Sequence, residues 1–278
     1  MLKILIVLLA LVYIPSLWAA SVLFQSEVQN ANPLLYYKFN ESSGSTAVNY
    51  GSLGSSYNAT YYGNITRSNA TIYGDTGVGF TGVNDYIESN TAAPVSLTGN
   101  PNFTIETMVF MASNATSYQY APFMHWGGAA TAQSVYFSPR YNEANRIYAG
   151  FYNGGQMMSG TLGLGTWHHI VMVRQGGGNS DTGTSLYIDG VKVSTITDTV
   201  LYTGIIPAIT STTFRINRAT DATRYFTNVV MDEIAVYNRT LSQTEVVNHY
   251  NSLFTPVPEP GNIILLLISI VFFLKARK

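Results

Sequence analysis

The sequence carries 15 Asp and Glu residues and 4 histidines but no cysteine, so site chemistry must rest on oxygen and imidazole rather than thiolate. Among the carboxylates, Asp232 stands out. On strand parity it falls with Val230, Ile234 and Val236, so its side chain is expected to point inward among apolar residues. A buried carboxylate without a partner costs several kcal/mol, and it therefore requires a cation, an arginine or backbone N–H groups. Glu41, beside the first predicted strand, could approach Asp232 if the chain ends meet. Asp85 lies in a glycine-flanked turn whose carbonyls could also coordinate. Oxygen-only ligands of this kind suit Ca2+. The competing reading is a hydrogen-bonded structural Asp232 with Glu41 and Asp85 as surface acids.

Acid–base catalysis is poorly served. Glu106 and Glu233 are single carboxylates whose neighbours two residues away are not acidic, whereas a retaining glycosidase needs a carboxylate pair about 5 Å apart. His168 and His169 point to opposite faces of a strand and cannot chelate one ion together. Packing is the expected role for them and for His125. No Ser-His-Asp order, P-loop or His-rich metal motif is present. Aromatic side chains offer a different function. Tyr118, Tyr120, Trp126, Tyr141 and Tyr152 fall near predicted loops and could form a platform on which sugar rings stack. The plainer explanation is that aromatic residues favour strands.

These residues need a scaffold, and the composition describes one. Of 278 residues only 10% are charged, with a formal net charge of -1, and 20 are tyrosine. Such a chain has no basic footprint for nucleic acid. From Val22 to Thr240 it alternates in short runs broken by Gly, Asn, Ser and Thr, the pattern of an all-β sandwich. Predicted strands include Leu34 to Asn40, Ala59 to Tyr62, Phe103 to Met111, Trp167 to Arg174 and Val229 to Tyr237. Phe103, Ile105, Val109 and Met111 share one face. Trp167 to Arg174 is apolar on both faces and is expected to be covered twice. Asp189-Gly190 between Thr184 to Ile188 and Val191 to Thr195 predicts a hairpin with a type I′ turn. One late helix is expected, with Ser242 and Glu245 closing a capping box and Val246, Val247, Tyr250 and Leu253 on its buried face.

The two ends read as sorting signals. Lys3, the apolar run Ile4 to Ile14, and small residues Ala19, Ala20 and Ser21 make a signal helix with cleavage expected near Ala20 or Ser21. At the other end Pro258-Glu259-Pro260 precedes an apolar block, Ile263 to Leu274, and a basic finish of Lys275, Arg277 and Lys278. The block is short for a helix that must span the bilayer. This three-part tail resembles the PEP-CTERM sorting signal of Gram-negative bacteria. The resemblance implies transient residence in the inner membrane, processing by an exosortase-type enzyme, and delivery to the cell surface or extracellular matrix.

The body resembles the laminin-G-like, concanavalin A-like lectin/glucanase jelly roll. The resemblance rests on Leu35 to Gly44, on Gly79-Phe80-Thr81-Gly82-Val83-Asn84-Asp85-Tyr86, and on Thr166-Trp167-His168-His169 followed by Leu186-Tyr187-Ile188-Asp189-Gly190. The closing run Met231-Asp232-Glu233-Ile234-Ala235-Val236-Tyr237-Asn238-Arg239 completes it. Structural calcium is implied by the resemblance. The E-x-D-x-x-E run of the family's glucanases is missing, so a binding protein rather than an enzyme is expected. Three parts follow: a signal peptide over 1–20, one sandwich domain over 21–254, and a sorting tail with its hydrophobic helix over 255–278. The expected partner is a carbohydrate or an extracellular protein. The alternative is a structural matrix or adhesion protein without a discrete ligand, with a glycosidase behind both.

Overall fold

A computed structural model describes residues 16–71, 74–82, 84–118, 121–140, 143–154, 158–179, 182–193, 204–219 and 225–254. Its strands are β1 (Leu35–Tyr37), β2 (Thr46–Ala47), β3 (Ala59–Tyr62), β4 (Thr66–Ala70), β5 (Thr76–Phe80), β6 (Tyr86–Ala92), β7 (Phe103–Tyr118) and β8 (Met124–Gly127). They continue as β9 (Ser134–Arg140), β10 (Glu143–Phe151), β11 (Met158–Thr161), β12 (Trp167–Arg174), β13 (Thr184–Ile188), β14 (Val191–Lys192), β15 (Thr213–Ile216) and β16 (Tyr225–Tyr237). Two helices flank them, α1 (Ser16–Asn30) and α2 (Gln243–Ser252).

The strands form two antiparallel sheets. The first runs β14-β13-β12-β7-β16-β5-β4 with β1 also paired to β16, and the second runs β11-β10-β9-β8-β15-β6-β3-β2. Long-range pairing places β7 between β12 and β16, which makes it the central strand of the first sheet. The inner faces meet in one apolar core that includes Phe103, Ile105, Val109 and Met111, the face predicted from alternation. On β12, Ile170 and Met172 join this core, while Trp167, Val171 and Val173 pack on the opposite face. The strand is covered on both sides, as its double apolar pattern requires.

The outer cover of the first sheet comes from both helices. Phe24 and Val28 of α1 and Val246 of α2 are buried together with Met108, Tyr36 and Tyr237. The capping box is present: Ser242 Oγ accepts from the Glu245 N–H at 3.2 Å, and Glu245 Oε2 accepts from the Ser242 N–H at 2.8 Å. On α2, Val246 and His249 are buried and Leu253 closes that face, whereas Val247 is only half-buried. Asp189 and Gly190 both take positive φ, 52° and 74°, as a type I′ turn demands.

Two expectations fail. The chain from Val22 to Thr240 was expected to be all β, but α1 continues to Asn30, because Phe24 and Val28, one helical turn apart, seat it on the sheet. The parity placed on β16 also breaks. Register shifts between Asp232 and Ala235, and Glu233 adopts φ 54°, the mark of a bulge that adds a residue to one strand. Met231 faces the inter-sheet core before the bulge and Ile234 and Val236 face it after, while Val230 packs outward. Asp232 shares the parity of Val230, so it belongs to the helix-covered side rather than to the apolar interior. Among the described residues, no helix is long and apolar enough to cross a membrane.

Candidate functional site

Neither helix reaches the outer face of the second sheet, and a cleft opens there. It forms where β3 ends, β6 begins and β15 ends. Tyr62 and Tyr86 are cross-strand partners, and alternation sends their neighbours Tyr61 and Ile87 into the core and the two tyrosines outward. Their rings stack with centroids 4.4 Å apart and planes 9° from parallel. The Arg218 guanidinium lies 4.5 Å from the Tyr86 ring centre. Together with Gly63, Asn84, Asp85 and Asn217 these residues line a cleft of about 330 Å³. That volume is at the lower end for small-ligand sites. Tyr62 is 41% exposed, so an aromatic face is offered to solvent.

The floor of this cleft is fixed by Asp85. Its Oδ1 accepts from the Asn64 N–H at 2.6 Å, and its Oδ2 accepts from the Thr81 N–H at 3.0 Å and the Thr81 hydroxyl at 2.9 Å. Gly63 closes against it with φ +80°, where a Cβ would fall 2.4 Å from both the Asn84 carbonyl and Asp85 Oδ1. Asn217 is spent in the same way, donating to the Asp85 carbonyl at 2.8 Å and accepting from the Phe226 N–H at 2.6 Å. Asp85 is therefore a buried, turn-forming carboxylate, and it lies apart from the other two residues expected to share a metal with it.

Carboxylates do converge, but elsewhere and in a different combination. Asp75, Asp232 and Glu233 bring ligand oxygens within 4.8 Å of one another beside the β16 bulge. Gln25 of α1 donates to Asp75 Oδ2 and to Glu233 Oε1 at 2.6 Å, the Tyr36 hydroxyl donates to Glu233 Oε2, and Lys38 donates to Gln25 Oε1 at 3.2 Å. Burial, with Asp75 adding negative charge, pushes the Glu233 carboxyl up to about 8. Glu41 is not in the group: it accepts from the Val48 N–H and the Tyr61 hydroxyl, both at 2.8 Å. Of the three expected ligands only Asp232 meets other acids. Its partners, Asp75 and Glu233, were not paired with it in the sequence because the bulge creates their proximity.

A second polar cluster lies under the helices. Glu106 is fully buried, and its Oε2 accepts from His169 Nε2 and from His249 Nδ1, both at 3.0 Å. The Tyr237 hydroxyl donates to Oε1. Burial pushes the Glu106 carboxyl up, but His249 and His169 outweigh it and hold it well below the usual carboxylate range. Phe24 of α1 packs edge-on to both imidazoles, at 5.6 and 6.4 Å. This cluster fastens α1 and α2 to the sheet.

Of the aromatic residues expected to form a platform, Trp126 and Tyr152 have described side chains. Trp126 is fully buried, donates its indole N–H to the Leu97 carbonyl at 3.0 Å and packs against Phe103 and Phe214. It is a core residue. Tyr152 is half-buried and stacks on Tyr136 at 5.9 Å. Tyr118 ends β7 but its side chain lies outside the described residues, as do Tyr120 and Tyr141 and the tail residues Pro258, Glu259, Pro260, Lys275, Arg277 and Lys278. Tyr62 and Tyr86 were missed because their 24-residue separation becomes contact only through strand pairing.

Solved structures of similar fold include a Trypanosoma rangeli sialidase in complex with sialic acid, at 16% identity and TM-score 0.55, covering 84% of this chain and 35% of that one. A second structure of the Trypanosoma rangeli sialidase matches at 19% identity and TM-score 0.54, covering 86% and 39%. The chain thus spans little more than a third of the sialidases' length. Domain 4 of a GH43 extracellular arabinanase from Geobacillus stearothermophilus, in complex with arabinotriose, matches at 15% identity and TM-score 0.51, covering 79% of this chain and 98% of that domain. No curated protein matches in sequence. Residues 81–247 match the family described as the concanavalin A-like lectin/glucanases superfamily, and the chain belongs to that superfamily.

Proposed function

We propose that this chain is a carbohydrate-binding module acting outside the cell, with the Tyr62–Tyr86 cleft as its glycan site. The observation that carries the reading is the exposed face of Tyr62, backed by Tyr86 in parallel stacking at 4.4 Å. A rigid, supported aromatic face loses little entropy on binding and presents apolar surface beside polar groups. Similarity over nearly the whole of an arabinanase domain seen with arabinotriose adds support from fold. A glycan array tests it: wild-type protein gives at least one saturable hit, and Tyr62→Ala loses it. An array without hits removes the binding function and favours a structural matrix role.

Sorting belongs to the same proposal. The module over 21–254 is exported by its signal helix, and the Pro-Glu-Pro tail is processed by an exosortase-type membrane enzyme before surface or matrix delivery. Mass spectrometry of the surface-located protein checks this, since an intact 255–278 segment contradicts it.

Calcium is proposed as a structural ion at Asp75, Asp232 and Glu233. The supporting observation is that ligand oxygens of the three carboxylates lie within 4.8 Å of one another, with Asp232 and Glu233 buried, a negative cluster of oxygen donors that a hard cation would neutralise. Its role is to hold β5, β16 and α1 together.

A further inference from the structure

Resting on the carbohydrate reading of the cleft, we infer that its ligands are acidic glycans, recognised through a carboxylate or sulfate held by Arg218 while a sugar ring stacks on Tyr62. Arg218 is singled out by elimination among the polar groups that line the cleft. Asp85 has both carboxylate oxygens taken by Asn64 and Thr81 and is only 3% exposed. The Asn217 amide is taken at both ends by Asp85 and Phe226. Both side chains are engaged and buried, Asn217 being 1% exposed, so neither is presented to a ligand. Asn84 is exposed and uncharged. Arg218 therefore brings the available charge.

A candidate counter-ion, Glu88, is engaged by a different arginine. Glu88, whose carboxyl Arg218 helps hold below its ordinary value, accepts from Arg215 Nε at 3.0 Å and Nη2 at 2.9 Å through one oxygen, Oε1. The Thr213 hydroxyl donates to the same oxygen at 2.5 Å. Among the described residues no carboxylate forms an ion pair with Arg218. Its guanidinium carbon lies 4.5 Å from the centre of the Tyr86 ring, a cation–π contact. A cation–π contact uses no N–H hydrogen bond, and a guanidinium fork suits a two-pronged grip on a carboxylate or sulfate. The layered order of guanidinium, Tyr86 and Tyr62 also stiffens the arginine before ligand arrives, so less side-chain freedom is lost in binding.

The test uses paired polysaccharides that differ in charge alone: polygalacturonate against its methyl ester, alginate against its propylene glycol ester, and a carrageenan against its desulfated form. Binding is measured by calorimetry with wild type, Arg218→Gln, Arg218→Lys and Tyr62→Ala, with thermal melting as the folding control. The assignment predicts that at least one acidic member binds about tenfold or more tightly than its neutral partner. Arg218→Gln should erase the preference without changing the melting temperature, Arg218→Lys should restore part of it, and added salt should weaken it. Equal binding of charged and neutral partners, or a preference that survives Arg218→Gln, overturns the acidic-ligand assignment and leaves carbohydrate binding standing. Binding of none of them, with no array hit lost in Tyr62→Ala, overturns both.

Discussion

His249 on α2 donates to the buried Glu106 carboxylate on β7 at 3.0 Å across 143 positions of sequence. The bond joins the last helix to the central strand of the first sheet, with His169 on the same oxygen. Taking away one partner of a buried pair strands the other without compensation, at about 3–5 kcal/mol. Glu106→Ala should therefore be severely destabilised in urea denaturation, and more so than Glu41→Ala, whose carboxylate joins a half-exposed strand edge. A Glu106→Ala variant with wild-type stability would show that the cluster does not fasten the helices.

Stability should also have two pH limbs. The Glu106 carboxyl is held below its ordinary 4.5, so its contribution is present above that value and is lost as pH falls through the depressed one. Burial pushes the His249 imidazole down, but Glu106 outweighs this and raises it above its ordinary 6.5. That contribution is fully present below 6.5 and is lost as pH rises through the raised value. Glu233, pushed up to about 8, adds a loss of the same sign between the ordinary carboxylate value and about 8. Melting temperatures from pH 2 to 9 should fall at both ends. His249→Gln and Glu233→Gln should each flatten the alkaline limb, and an unchanged limb in the double variant would refute the assignment.

Calcium reverses the Glu233 contribution. A cation at Asp75, Asp232 and Glu233 favours the ionised carboxylate, so binding should release a proton and tighten as pH rises toward 8. Calcium should raise the melting temperature, EDTA should lower it, and Asp232→Asn should abolish the difference. Identical melting with calcium and with EDTA would remove the ion from the account.

The capping box gives a local control. Ser242→Ala removes the hydroxyl that accepts from Glu245 and should cost about 1 kcal/mol, read by denaturant titration, with glycan binding unchanged because α2 lies on the opposite sheet's outer face.

Local rules were legible in the sequence where local rules govern. The Asp189-Gly190 turn, the Ser242–Glu245 box and the apolar face of β7 each depend on residues a few positions apart. Edge strands with polar composition were not legible: β4, Thr-Arg-Ser-Asn-Ala, alternates only between half-buried and exposed. The site was harder still. The β16 bulge turns Asp232 and Glu233 toward Asp75, and an extra residue inverts every parity argument downstream of it. Gln25 reaches Glu233 from 208 positions away. Asp85 and the run around it were recognisable, but that they form the floor beneath Tyr62 and Tyr86 follows from the pairing of β3 with β6.

The most direct measurement is a calorimetric titration of wild type and Tyr62→Ala with the strongest glycan found on the array. Wild type should give a saturable isotherm with one site per chain, and Tyr62→Ala, folded to the same melting temperature, should give none. An isotherm retained in Tyr62→Ala would contradict the placement of the glycan site in this cleft.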